Sequence, residues 1–233
     1  FADFAGARWG WQVNPDHALV LPDVMIGVAE IIHALTNPGD AVVISPPVYD
    51  SFFGFVESTR RRLVTAPLDT SGRLDMASLD RAFRDAGAGS IYLLCSPHNP
   101  TGTVHSAQEL TELATLADRH GVLVVSDEIH APLTHPGVTF TPYLSLTAAQ
   151  RGIALVSASK SWNIAGLKAA LALPGTGARA TLGRLHEVVR HGANHLAVIA
   201  QTAAFRDGGP WLSQVTGELA DNRALLGELL ARE

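Results

Sequence analysis

SIYLLCSPHNPTGTVHSAQELTELATLADRHGVLVVSD, residues 90–127, is the stretch that decides the fold. Ser90 to Cys95 and Val122 to Ser126 are aliphatic runs of strand length. Between them, Leu110, Leu113 and Leu116 recur at helical spacing within Ser106 to His120. Ser106 and Glu109 have the spacing of a capping box, and Gly121 can adopt the left-handed conformation that stops a helix. A strand, a capped helix and an immediate second strand predict a crossover unit, which requires the two strands to run parallel.

The same alternation extends outward. Further strands are predicted at Ala41 to Ser45, Arg62 to Ala66, Ile153 to Ser157 and Ala169 to Leu173, with a helix from Asp23 to Leu35 closed by the turn Asn37-Pro38-Gly39-Asp40. Beyond Pro174 only helices are predicted: Ala178 to His191, Asn194 to Arg206, and Trp211 to the last residue. Phe1 to Trp11 is aromatic without a clear period. The expected class is therefore α/β, a mainly parallel sheet with helices on both faces.

Composition narrows the partners. Of 233 residues, 47% are hydrophobic and 17% charged, so a sizeable core is expected rather than disorder. The formal net charge of -5 and the lack of a basic run longer than Arg60-Arg61-Arg62 argue against a nucleic-acid backbone as ligand. The longest apolar runs are strand-sized, which predicts neither a membrane span nor a signal peptide. The single cysteine, Cys95, cannot form an internal disulfide and fits a reducing, cytoplasmic setting. Only two of the 17 basic residues are lysines, Lys160 and Lys168, and both fall in SASKSWNIAGLK, residues 157–168.

In an open parallel sheet, ligands bind beyond the carboxyl ends of the strands. The residues following the predicted strands are PPVYDSF with Tyr49, SPHNPTG with Asn99, DEIH with Asp127 and His130, and SASK with Lys160. One ring, one amide, one carboxylate and one lysine are thus expected along one edge of the sheet.

SPHNPTG, VVSDEIH and SASKSWNIAGLK, in this order and spacing, resemble the large domain of the fold-type I enzymes that depend on pyridoxal 5'-phosphate (PLP), the aminotransferase class I and II family. DEIH followed by PLTHPGVTFTPYLSL, with SKSWNIAGL, is most similar to its cystathionine β-lyase branch, the MalY/PatB carbon–sulfur lyases. The resemblance runs from about Trp9 to the helix after GGPWL. It implies a PLP-dependent transferase-like large domain with a mainly parallel seven-stranded sheet, PLP as cofactor, a sulfur amino acid such as cystathionine as substrate, and a homodimer. It also implies roles. Lys160 matches the Schiff-base lysine, Asp127 the carboxylate pairing with the pyridine nitrogen, Asn99 the amide on the phenolic oxygen, and Tyr49 the ring stacked on the pyridine. Lys160, Asp127 and Tyr49 form the expected catalytic set. The phosphate is expected at the amino end of the helix near Asp23, on the amides of Val24 and Met25, with the Ser157 hydroxyl and Lys168 adding contacts. Lys168 stands where many relatives have arginine, which keeps the charge and gives up the bidentate fork. His130 stands where aminotransferases usually have tyrosine and the lyase branch histidine, which favours a lyase over an aminotransferase.

Other readings of these residues are weaker. SASK fits the S-x-x-K of penicillin-recognising serine enzymes, but S-D-N and K-T-G are absent. His98, His105, His130, His135 and Asp127 lack the spacing of a metal motif, so no metal is expected. Gly175-Thr176-Gly177 lacks the third glycine of a dinucleotide loop. Family members continue into a small carboxyl-terminal domain carrying the arginine for the substrate's α-carboxylate. Residues 1–210 are therefore expected to be the PLP-binding large domain and 211–233 the start of a helix leading to a small domain missing from this chain. A fragment of that kind would bind PLP yet turn over poorly, because positioning supplies much of the rate.

Overall fold

The computed structural model describes residues 1–232. Seven strands form one sheet among the described residues: β1 (Leu19–Leu21), β2 (Ala41–Ile44), β3 (Arg62–Thr65), β4 (Ile91–Cys95), β5 (Leu123–Asp127), β6 (Ile153–Val156) and β7 (Ala170–Pro174). Their order is β1-β7-β6-β5-β4-β2-β3. The pairs from β3 to β6 are parallel, and β7 runs antiparallel to both β6 and β1. The sequence predicts every strand but β1, which is three residues long and ends at Pro22, too short for a period-2 pattern to register.

The helices are α1 (Ala2–Trp9), α2 (Val24–Leu35), α3 (Ser51–Ser58), α4 (Met76–Ala86), α5 (Ala107–His120), α6 (Arg179–Leu182), α7 (Glu187–Arg190), α8 (His195–Asp207) and α9 (Gly209–Leu230). The capping box of α5 forms as predicted, and Gly121 ends the helix at φ 67°. The continuous helix predicted over Ala178 to His191 is instead broken. Leu182 and Leu185 are both buried, joined by a tight i to i+3 turn, and the His186 side chain accepts from the Val188 amide to start α7 anew. Apolar anchoring three residues apart outweighs helix continuity there. The last helix starts two residues before the expected Trp211, and its expected terminus, Glu233, lies outside the described residues.

Side chains alternate across the sheet into two cores. Tyr92 and Leu94 of β4 join Leu79 and Phe83 of α4 and Leu110 and Leu113 of α5 on one face. Ile91, Leu93 and Cys95 join Val28, Ile31 and Ile32 of α2 and Phe52 and Val56 of α3 on the other. Each large aliphatic side chain buried in this way stabilises the fold by about 1.5–3 kcal/mol. The inner strands are almost wholly apolar because helices cover both faces, with Ser126 and Asp127 at the carboxyl end of β5 as the exceptions. Gly27 lets α2 approach closely, since a Cβ there would lie 2.8 Å from Leu21 Cδ1. The edge strand β3 exposes Arg62, which pairs with Asp85 at 2.7 Å.

The carboxyl end of α2 is closed by Arg61, a buried guanidinium among carbonyl groups. Its Nε donates to Thr36 Oγ1 at 2.8 Å, one Nη to the Thr36 carbonyl at 2.6 Å, and the other to the Thr59 carbonyl. A cation at this helix end also opposes the negative pole of the helix dipole. Arg61→Met removes these donors and leaves buried carbonyls unpaired. The expected cost is about 3 kcal/mol, read as a lower urea midpoint with an unchanged slope.

Candidate active site

The register Cys95↔Asp127↔Leu155 aligns the carboxyl ends of β4, β5 and β6, and the turns leaving them meet at one cavity of about 360 Å³. Asn99, Asp127, His130 and Lys160 line it, together with Tyr49 from the turn after β2. Val24 and Met25 at the start of α2, and Lys168 just before β7, line it too. Of the predicted site residues, Ser157 alone is absent from the wall. Its hydroxyl donates to the Ala169 carbonyl at 2.7 Å, lies 3.3 Å from Gln201 Oε1, and is buried. A hydroxyl committed to its own scaffold is not free for an external anion. Ser159, two residues on, lines the cavity instead. It faces the cavity because the chain turns back at that point, a local geometry the sequence does not display.

Asp127 is 6% exposed, and the Ile129 amide donates to its Oδ1 at 3.1 Å. Burial pushes its pKa up to about 6, against the lowering effect of that amide and of nearby Lys160. Among the described residues Oδ2 has no hydrogen-bond partner, so the carboxylate presents an open acceptor to the cavity. His130 is held below its ordinary value, first by burial and then by the Lys160 charge, so its imidazole is neutral at pH 7. Cys95 forms part of the floor. Its Sγ accepts from the Asn99 amide at 3.3 Å and thereby orients that turn, while burial pushes its thiol up to about 12.

The opposite end of the cavity suits an anion. Asp23 caps α2 by accepting from the Ile26 amide at 2.8 Å, and the Asp23 carbonyl takes the Gly27 amide. Among the described residues the amides of Val24 and Met25 therefore have no acceptor at the positive pole of the helix. Lys168 Nζ lies 3.2 Å from Asp23 Oδ2, in reach of the same end. The donor set thus fits PLP: free amides and an ammonium for its phosphate, an open carboxylate for its ring nitrogen, and an amide side chain, an aromatic ring and a lysine between them. Lys168→Met is expected to weaken PLP binding to the cofactor-free protein about tenfold, while Lys168→Arg retains it. Fluorescence titration checks this. The modest size reflects the exposure of the ammonium, which solvent screens.

The turn bearing Lys160 is held from behind by residues that sequence reasoning does not single out. Gln201 of α8 accepts from the Ala158 amide at 3.1 Å, and Trp162 Nε1 donates to the Gly208 carbonyl at 2.8 Å. Gly208 is required there, since a Cβ would lie 2.2 Å from Trp162 Nε1. The Trp162 ring packs edge-on against Phe4 and Phe205, which explains the aromatic residues near the amino end. Beside Asp127, the buried Glu128 accepts from the Tyr143 amide at 2.8 Å and the Ser126 hydroxyl at 3.0 Å, which fastens the 143–145 turn beneath β5.

Comparison with known proteins agrees with this geometry. The family model for "Aminotransferase class I and II" matches residues 1–232. A Mycobacterium tuberculosis protein named "Putative cystathionine beta-lyase" is 50% identical over 98% of this chain and 58% of its own length. Cystathionine beta-lyase PatB of Bacillus subtilis is 37% identical over 92% of this chain and 57% of its length. The crystal structure of the PLP-bound C-S lyase from Staphylococcus hominis superposes with a TM-score of 0.91 at 25% identity, covering 100% of this chain and 61% of that one. The chain therefore spans a little under three fifths of the curated relatives it matches.

Proposed function

The chain belongs to the aminotransferase class I and II family, and from that premise we propose that it is the cofactor-binding part of a PLP-dependent carbon–sulfur β-lyase of the cystathionine β-lyase type. The observation that carries the reading is the single cavity that collects Lys160, Asp127, Asn99 and Tyr49 with an anion cradle at its far end. Identity of 50% to a protein named for that lyase favours elimination over amino transfer. So does His130 in the DEIH motif. We assign residues 1–210 to the large domain and 211–233 to the helix that leaves it. The substrate would be cystathionine or a related sulfur amino acid, and the active form a cytoplasmic homodimer.

PLP, when bound, supplies an aldehyde that captures amines and a ring that accepts the electron pair left when a proton leaves the substrate's α-carbon. The chain's own residues hold the reactants and move the proton. Lys160 and Lys168 both line the cavity, and Lys160 is the one whose charge acts on the Asp127 carboxyl. It would accept the α-proton and later return a proton to the product side. Asp127 would hold the proton on the ring nitrogen by charge and hydrogen bond, Asn99 would donate to the phenolic oxygen, and Tyr49 would cover one ring face. Val24, Met25 and Lys168 would fix the phosphate, so that the reacting carbon is presented to Lys160 with little freedom. The thiolate would leave the β-carbon with its bonding electron pair, and hydrolysis of the remaining 2-aminoacrylate by water would give pyruvate and ammonia.

The test is a titration with PLP followed by borohydride reduction and peptide mapping, then product analysis with cystathionine. Label on residue 160, and pyruvate formed without a 2-oxo acid acceptor, support the lyase. A product that forms only when such an acceptor is present would make it an aminotransferase, and the lack of any chromophore would remove the cofactor reading altogether.

A further inference from the structure

The strands β2 and β4 are neighbours in the sheet, but the chain leaves them in opposite directions. From β2 it passes through α3 on one face to β3, and from β4 through α5 on the other face to β5. Such a switch point opens a crevice between the two departing turns. Here those turns carry Tyr49 and Asn99. The ladder between β2 and β4 is short, pairing Val42 with Ile91 and Val43 with Tyr92, and it stops before either turn begins. Ser45 Oγ and Tyr92 OH, 2.9 Å apart, extend it by one side-chain bond. Beyond that point, the one hydrogen bond recorded among the described residues that crosses from residues 46–50 to residues 96–103 belongs to His98, whose Nε2 lies 2.8 Å from the Pro47 carbonyl.

Resting on the PLP reading above, we infer that His98 is a positioning residue: its imidazole ties the Tyr49 turn to the Asn99 turn and so sets the spacing between the ring that covers the cofactor and the amide that meets its phenolic oxygen. The chemistry of the bond is settled by its acceptor. A carbonyl cannot donate, so Nε2 carries the hydrogen and Nδ1 is the lone-pair nitrogen. The side chain is 2% exposed, and burial keeps it neutral by lowering its affinity for a proton. Among the described residues, Nδ1 and both nitrogens of His105, whose equally buried ring stands edge-on at 5.8 Å, have no partner in hydrogen-bonding geometry, although the Cys95 backbone lies close enough to raise the proton affinity of both rings. The acceptor that His98 meets in hydrogen-bonding geometry is the Pro47 carbonyl, so its donor is aimed there. On its own turn, His98 is fixed by its backbone, since its amide donates to the Thr103 carbonyl at 2.8 Å and its carbonyl accepts from Gly102 at 2.7 Å. A rigid turn on one side and a single aimed donor make an effective strut.

The variants His98→Gln, His98→Asn and His98→Leu separate this role from packing. Glutamine places a donor at the reach of Nε2, asparagine places one only at the reach of Nδ1, and leucine has none. PLP affinity and the absorption maximum of the bound cofactor are measured for each, with thermal melts of the cofactor-free proteins as a control. The expected result is near-normal affinity and spectrum for His98→Gln, with affinity about tenfold weaker and a displaced maximum for the other two. Equal behaviour of the glutamine and asparagine variants, whether both normal or both impaired, overturns the inference. So does a folded leucine variant with the wild-type spectrum. If the leucine variant does not fold, the Gln and Asn pair decides. Failure of the unaltered protein to bind PLP would instead strike the cofactor reading itself.

Discussion

Replacing Lys160 by alanine is expected to reduce β-elimination by the holoenzyme about 10⁴-fold or more, while the melting temperature of the cofactor-free protein stays unchanged. The expected size combines two losses. A positioned proton-transfer group contributes about 10²–10⁴ on its own, and the amine that holds the cofactor covalently goes with it. Stability is spared because the turn is held by other atoms: the Ala158 amide on Gln201, and the Trp162 indole on Gly208. Among the described residues the Lys160 side chain has no hydrogen-bond partner. The check is a steady-state assay beside borohydride reduction, after which residue 160 carries no label. Activity within tenfold of wild type would remove Lys160 from the mechanism.

Asp127→Asn is expected to lower activity by about 10²–10³-fold and to flatten the pH dependence of cofactor binding that is expected of the wild type. In the cofactor-free fold the carboxyl has its pKa pushed up to about 6, because burial disfavours the ion. A folded-state pKa above the unfolded value means that the stability contribution is fully present below about pH 4 and is lost as pH rises through about 6. The protein thus spends stability to keep an ionised carboxylate in the cavity. A protonated ring nitrogen opposite Oδ2 would return that stability as binding energy. Below pH 6 the carboxyl must first give up its proton, so PLP affinity is expected to fall as pH drops from 7 to 5. Titrations at the two values check the slope, and the asparagine variant should show a smaller one, set by the phosphate and the lysine amine alone.

How much of this was legible in the residues differs from element to element. The α5 capping box and the β4 and β5 runs were readable because their signals are local: a side chain reaching its own first turn, and aliphatic runs covered on both faces. The placing of Asn99, Asp127, Lys160 and Tyr49 at one edge followed from strand polarity alone. The open amides of Val24 and Met25 are not legible in the same way, since a capping aspartate can occupy either position: Asp75 accepts from Ala77, the second residue of α4, whereas Asp23 accepts from Ile26, the third of α2. The failures share a cause. The resemblance implies a phosphate contact for Ser157, yet its hydroxyl turns inward to Ala169. The break between α6 and α7 depends on where Leu182 and Leu185 find the core.

The sequence by itself determined the class of fold, the parallel course of β4 and β5 and the set of chemical groups offered at the strands' carboxyl ends, because these follow from periodicity, capping and polarity within a few residues. Only the tertiary structure decided which of those groups face the cavity, how far Asp127 is removed from water, and that His98 reaches across to Pro47. Each of the latter depends on atoms brought together from distant parts of the chain. His98 and Pro47 are 51 residues apart, and desolvation of a carboxylate is set by everything packed around it rather than by its neighbours in the chain.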